Sequence, residues 1–342
     1  MEAIQGTTGI PFFGNSLELA KNCFEFMKAQ PEKYGDISYY YVGSRKVVLV
    51  ADPASIQEVL KNSPKDYAKG GDQKTFREML GNGLVTNEGD FWRKQRRLTQ
   101  PLFHPGKLKQ LCESKRQIVE KYLKQWENKD IKTTDLHADM SRLTLNILVD
   151  TILGAEMDIP YDTVYKCISI LNEATYYRML SIPFYKQMHI KMNRDFKWAL
   201  KKMDKIITEM IQKKKNGALD KQDILTNLIL AQDADTGERM SDQQLKDEVI
   251  TFFFAGHDTT SNWLTWFFYN ISKPGHEKFD LKVFEEISQW KNKETEYSFE
   301  NLKQLTYTEM CLKESMRVHP PVWILLRKNL VQYRMLGDLL IS

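Results

Sequence analysis

The stretch Ser241–Ser272, SDQQLKDEVITFFFAGHDTTSNWLTWFFYNIS, constrains the fold more than any other part of the chain. Ser241 followed by Gln244 predicts a capping box, in which each side chain satisfies the other's orphan backbone donor. From Leu245 onward there is no proline, so about 30 residues can stay helical, roughly 45 Å at 1.5 Å per residue. The apolar residues Val249, Ile250, Phe252, Phe253, Phe254, Trp263, Leu264, Trp266, Phe267 and Phe268 leave almost no polar face. A helix apolar all round is a buried one. VITFFF alone also fits a buried strand, since periodicity does not separate the two. Length and cap favour the helix.

The run is broken at its middle by His257-Asp258-Thr259-Thr260-Ser261-Asn262. No segment therefore reaches the ~18 apolar residues of a membrane span. An acid and hydroxyls at the centre of a buried helix need a use, because unpaired burial is costly. Gly256 thins the helix, and Thr259 and Thr260 can bond back to the preceding turn and open it. The expected result is a groove with a carboxylic acid, Asp258, beside an alcohol, Thr259, suited to proton delivery to a ligand lying against the helix. A kink with satisfied hydroxyls fits the same residues equally well.

At 342 residues the chain exceeds the ~250–300 at which single cores stop growing. One large domain or two intimately packed parts are expected. A net charge of +4 is too mild to indicate a nucleic-acid partner. Cys23, Cys112, Cys167 and Cys311 lie far apart without C-x-x-C spacing, which suggests neither a zinc site nor a disulfide framework and fits a reducing compartment. The N-terminus lacks a basic segment followed by an apolar one, so no signal peptide or transmembrane anchor is expected. The six histidines have no metal spacing and read as surface or capping residues.

In chain order, a helix is expected over Leu17–Tyr34, then a hairpin of Ile37–Val42 and Lys46–Val50 around Gly43-Ser44-Arg45. Asp52-Pro53 opens a helix to about Lys61. The first 80 residues thus read as a small sheet-containing part. Residues 81–342 read as mostly helical, with helices at Phe91–Pro101, Lys107–Asn128, Ser141–Leu153, Tyr161–Leu180, Met192–Lys215, Lys282–Trp290 and Thr306–Val318. Residues 176–185 form an aromatic connector that either roofs an apolar pocket, touches a membrane surface or is an ordinary packing turn. Val322–Leu326 looks strand-like. The fold class is mainly α, with α+β character.

Three spaced motifs combine. Ala255-Gly256-His257-Asp258-Thr259-Thr260 matches A/G-G-x-D/E-T-T; Glu314-Ser315-Met316-Arg317 matches E-x-x-R and is followed by His319-Pro320-Pro321; Trp92 to Arg96 supplies W-x-x-x-R. In this order and at these separations they resemble the heme-thiolate monooxygenases of the cytochrome P-450 family. The resemblance covers essentially the whole chain and is to the soluble, bacterial-type members, which implies a cytoplasmic protein. It implies heme b as cofactor, dioxygen and an apolar small molecule as substrates, and electrons from NAD(P)H through a flavoprotein or ferredoxin partner. A fatty acid or terpenoid is the implied substrate class, in keeping with Phe252 to Phe254.

By the same resemblance Asp258 and Thr259 are the acid–alcohol pair that relays protons. Ala255 and Gly256 lie against the heme face. Trp92, Arg96 and Arg327 face the heme propionates, for which a guanidinium and an indole N–H are suited donors. Glu314 and Arg317 are a buried structural pair, worth more than a surface bridge. Read without the family, Trp92–Arg97 is a solvated basic face or a nucleic-acid patch. Arg93 and Arg97 are then solvated, or receive an acidic redox partner.

The chain departs from the pattern in one respect. It lacks the family's F-x-x-G-x-x-x-C-x-G, which supplies the iron-ligating thiolate. Cys311 sits on the E-x-x-R helix and reads as packing. The expectation is a chain that ends before the heme-ligand loop and is an inactive fragment as it stands. The rivals are a non-catalytic remnant or partner-binding pseudoenzyme, which the missing cysteine favours, and a heme isomerase or dehydratase, which Asp258 and Thr259 argue against.

Overall fold

The computed structural model describes residues 4–63, 65–70, 73–127, 133–154, 161–180, 190–217, 223–233, 235–293, 298–330, 334–336 and 339–341. The chain divides into two compact units. One comprises Met1–Met79, Ile170–Trp198 and Leu325–Ser342; the other comprises Leu80–Ser169 and Ala199–Ile324.

The first unit carries the sheets. Strands β1 (Gln5–Gly6), β2 (Ile37–Val42) and β3 (Arg45–Val50) lie in that order, β1 parallel to β2 and β2 antiparallel to β3. The hairpin turn is two residues long, with Gly43 at φ 60 in the left-handed region that two-residue turns demand. Arg45 is therefore a strand residue opposite Val42, one earlier than the sequence suggests. Helix α1 (Ser16–Tyr34) buries Cys23 and Met27, and Phe26 meets Tyr40 of β2 edge-on at 5.4 Å. Helix α2 (Pro53–Lys61) starts as expected, with Asp52 accepting from the Ser55 amide at 2.7 Å. Strand β4 (Tyr67–Lys69) pairs antiparallel with β5 (Arg327–Asn329), and β6 (Arg334–Leu336) pairs with β7 (Leu339–Ile341). Val322–Leu326 is not a strand: β4 opposes only Arg327–Asn329, so the ladder begins at Arg327. Helix α3 (Gln73–Leu80) was not legible in the sequence.

The second unit holds α4 (Gly89–Thr99), α5 (Pro105–Glu127), α6 (Leu136–Leu153), the first part of α7 (Tyr161–Leu180), the later part of α8 (Ile190–Asn216), α9 (Ile224–Leu230), α10 (Asp242–Ile271), α11 (Glu277–Lys293) and α12 (Thr306–Val318). Helix α10 is the predicted 30-residue element, and both arms of its capping box form, at 3.2 and 2.8 Å. Its broadest packing is on α6, with α12 and α9 also against it. Leu245, Val249 and Phe253 are buried with Leu145, Val149 and Ile152 of α6 and Leu225 and Leu228 of α9. Each such side chain contributes about 1.5–3 kcal/mol on burial.

At its other end α10 is less covered. Phe267 and Ile271 join Val283 of α11 and Tyr307, Cys311 and Leu312 of α12, so Cys311 is a packing residue, as read. Trp266, Phe268 and Tyr269 are 38%, 39% and 52% exposed, so the helix is not buried on every side. Helix α12 begins with no cap of its own. Glu286 of α11 caps it instead, accepting from the Tyr307 and Thr308 amides and the Thr308 hydroxyl, each at 2.7 Å. The connector at 176–185 lies largely outside the described residues.

Candidate active site

Two acids of α10 fix the segment that leads into α4. Asp247 accepts from the Asn82 amide at 2.8 Å, and Glu248 accepts from the Leu84 amide at 3.1 Å. Gly83 lies so close to Thr251 that a Cβ there would be 2.1 Å from its hydroxyl. Thr86 closes the turn by donating to the Gly81 carbonyl at 2.7 Å. The sequence reading missed Asp247 and Glu248. Their signal was visible: two adjacent acids just before VITFFF in an otherwise apolar helix.

This loop delivers α4, whose cations sort themselves. Arg93 pairs with Asp90, Lys94 with Glu238, and Arg97 with Asp233 at 3.0 Å and Asp235 at 3.1 Å. Arg97 is thus exposed, as read, but is also tied within the unit to Asp233, whose side chain is fully buried. Burial alone pushes the Asp233 carboxyl up, but donors from Thr236 and Arg97 outweigh this and hold it low. Arg96 makes no ion pair among the described residues. It is exposed, with its guanidinium 5.3 Å from the Trp92 ring centre. A cation left over on the same face as an indole is what two carboxylates of a ligand require.

At the break in α10, Thr259 donates to the Ala255 carbonyl at 2.6 Å, one turn back, as predicted. Thr251 and Thr265 make the same bond, to Asp247 and Ser261. Ala255 is exposed. Gly256 does not open towards a ligand: a Cβ there would be 2.7 Å from Leu148 of α6. Its missing side chain lets the two helices approach. His257 is no surface residue either. It is 2% exposed, with Nε2 3.1 Å from the Ser141 carbonyl of α6 and Tyr165 of α7 edge-on at 6.0 Å. Asp258 is 41% exposed in its side chain and brings Oδ1 to 2.8 Å from His257 Nδ1. Of the three phenylalanines, Phe253 and Phe254 belong to the core, while half-buried Phe252 meets Phe103 at 6.1 Å.

Glu314 and Arg317 pair through two bonds of 2.7 Å, but the pair is not buried: the side chains are 59% and 71% exposed. Solvent therefore screens the pair, and it adds little to stability. Arg327 belongs to the other unit, on β5, where it donates to the Ser63 hydroxyl at 3.3 Å. Burial pushes the thiols of Cys23, Cys167 and Cys311 up, the reverse of what a metal-bound thiolate needs. No cluster of metal-ligating side chains occurs among the described residues. The face at Trp92 and Arg96 fits a heme carboxylate edge, whereas Cys23, Cys167 and Cys311 do not fit an axial ligand.

The family model for cytochrome P450 matches residues 4–342. The chain belongs to the cytochrome P450 family. Two proteins of Streptomyces melanosporofaciens resemble it: cyclooctat-9-en-7-ol 5-monooxygenase, 28% identical across 93% of this chain and 68% of that one, and cyclooctatin synthase, 29% identical across 93% and 69%. The solved structure of retinoic acid-bound cyanobacterial CYP120A1 superposes with a TM-score of 0.83 at 21% identity, covering all of this chain and 75% of that one, and so shares its fold. The chain is a heme-dependent monooxygenase of this family, using dioxygen, an organic substrate and NAD(P)H-derived electrons passed on by redox partners. No described helix is long and apolar enough to cross a membrane.

Proposed function

We propose that Asp258 and Thr259 handle protons for oxygen activation, and that Trp92 and Arg96 hold the heme propionates. The observation that carries this is the sorting on α4, where every cation but Arg96 is neutralised by an acid of the same unit. Heme, when bound, would supply the activation of dioxygen from which one oxygen atom enters the substrate. The chain's own residues do the rest. Thr259 spends its proton on the Ala255 carbonyl, which leaves its oxygen lone pairs free to accept from a donor in the groove. Exposed Ala255 keeps that stretch of helix low. Asp258, in contact with both solvent and His257, is placed to exchange protons. Glu314 and Arg317 stiffen the last turns of α12. The whole chain as one domain of this family, residence in the cytoplasm and a flavoprotein or ferredoxin donor belong to the same reading. Half-buried Phe252 and exposed Phe103 support an apolar substrate of fatty-acid or terpenoid type.

Hemin titration of the chain tests the propionate assignment. Arg96→Ala removes one charge-assisted bond of about 1.5–3 kcal/mol, a weakening of roughly 10–100-fold. Arg93→Ala, whose partner is Asp90, leaves binding unchanged. Equal binding by Arg96→Ala and the unaltered chain refutes the assignment. In a reduced carbon-monoxide difference spectrum, a Soret band at the thiolate position would show that one of the four cysteines ligates iron after all.

A further inference from the structure

His257 lies inside the motif, but no role follows for it from the motif pattern, and its surroundings specify one. Its Nε2 faces the Ser141 carbonyl at 3.1 Å. A carbonyl only accepts, so Nε2 carries a proton. Its Nδ1 is buried, has no linear hydrogen-bond partner, and stands 2.8 Å from Asp258 Oδ1. If the imidazole is neutral, that nitrogen bears a lone pair, and so does a carboxylate oxygen. Two acceptors at this distance repel unless a proton lies between them. Imidazolium beside carboxylate, and imidazole beside carboxylic acid, are the two arrangements that satisfy both groups.

We propose that His257 is a positioning residue for Asp258: anchored to α6 through Nε2, it holds the Asp258 carboxyl through Nδ1, with one proton shared between them. No bond other than N–H and O–H is made or broken, and the proton moves between Nδ1 and Oδ1. The titratable groups that the described contacts bring to the imidazole are Asp258 from its own helix and Tyr165 from α7; α6 contributes only a main-chain carbonyl. The imidazole is 2% exposed and the carboxyl 41%. The pair therefore joins a proton store sealed from water to a carboxyl that reaches water. While the carboxyl is held by Nδ1 it is turned towards the α6 side of α10, and it serves the groove only when that contact lets go.

The functional meaning of this inference rests on the reading of Asp258 as the relay acid, but its test does not. Long-range proton–nitrogen spectra of the full chain carrying 15N-labelled histidine report the two ring nitrogens separately, and His257→Gln assigns the signal. The expected pattern is a protonated Nε2 with Nδ1 displaced from the position of a bare lone pair. Asp258→Asn, at a half-exposed site that leaves the fold intact, moves Nδ1 of His257 and no other histidine. A neutral ring protonated at Nδ1, or a spectrum unmoved by Asp258→Asn, overturns the proposal. His257→Asn puts an amide N–H near the Nδ1 position, whereas His257→Gln puts one near Nε2. The 13C signal of the Asp258 carboxyl therefore stays near its original position in His257→Asn and shifts in His257→Gln. A shift of equal size in both also overturns it. A failed hemin titration with Arg96→Ala leaves these spectra unchanged, so the two readings fail separately.

Discussion

Lys214→Met is the substitution with the sharpest structural consequence. Lys214 Nζ lies 2.5 Å from Asp223 Oδ2, with the two side chains 10% and 4% exposed, and it also donates to the Leu153 carbonyl at the end of α6, 3.2 Å away. Methionine refills the stem and removes the charge. Breaking a buried pair from one side costs about 3–5 kcal/mol, because a buried charge is stranded. Here Asp223 keeps part of its support: Oδ1 still accepts from the Thr226 amide at 2.7 Å and Oδ2 from the Thr226 hydroxyl at 3.1 Å. The cost therefore falls at the low end, about 3 kcal/mol. Adding Asp223→Ser removes the stranded carboxylate and leaves an oxygen to cap α9, so the double variant recovers about 2 kcal/mol. Urea unfolding of the four proteins gives the cycle. A loss below about 1 kcal/mol for Lys214→Met, or a double variant as poor as the sum of the singles, refutes the reasoning.

Burial pushes the Glu286 carboxyl up, but donation from Tyr307, Thr308 and Thr306 outweighs it and the net pKa is lowered. Its stabilisation is thus complete above the unfolded glutamate value, about 4.3, and is lost as pH falls through the lower folded value. Glu286→Gln costs about 1 kcal/mol at neutral pH and flattens that acid-side loss, as read by unfolding at stepped pH. Gly256→Val forces Leu148 aside and costs about 1–3 kcal/mol, whereas Gly256→Ala costs less, because a leucine methyl can rotate away. Equal melting temperatures for the valine and alanine variants would refute the close helix approach. Glu314→Ala leaves the urea unfolding midpoint unchanged, since the pair is exposed; a clear fall in the midpoint would show it buried in solution.

The sequence carried the long helix, its capping box, the hairpin and the Asp52 cap, because each depends on neighbours within a few residues. The boundaries of α7 and α12 were legible for the same reason. The short helices α3 and α9 were not: at 8 and 7 residues they are set by packing and, for α9, by the Asp223 side chain. Within the site, Thr259 bonding back to Ala255 was a local prediction and holds. His257 was misplaced, and the packing partner of Gly256 and the ion pair of Arg97 were missed, because Ser141, Leu148 and Asp233 are distant in sequence. Periodicity says which face a residue takes, but not which helix lies against that face.

That distinction bears on how the oxygen segment is built. Gly256 and His257 both turn towards α6, one by letting Leu148 in and the other by bonding to Ser141. Ala255 and Thr259, one turn apart, are left on the opposite, open side. Asp258 stands between the two faces. The motif is therefore divided by the 100° step of the helix into an anchoring half and a working half, with the acid at their border. A helix held this firmly on one side can carry poor helix formers at its centre and stay continuous. This accounts for four consecutive residues that disfavour helix, Asp258-Thr259-Thr260-Ser261, at the centre of the longest described helix.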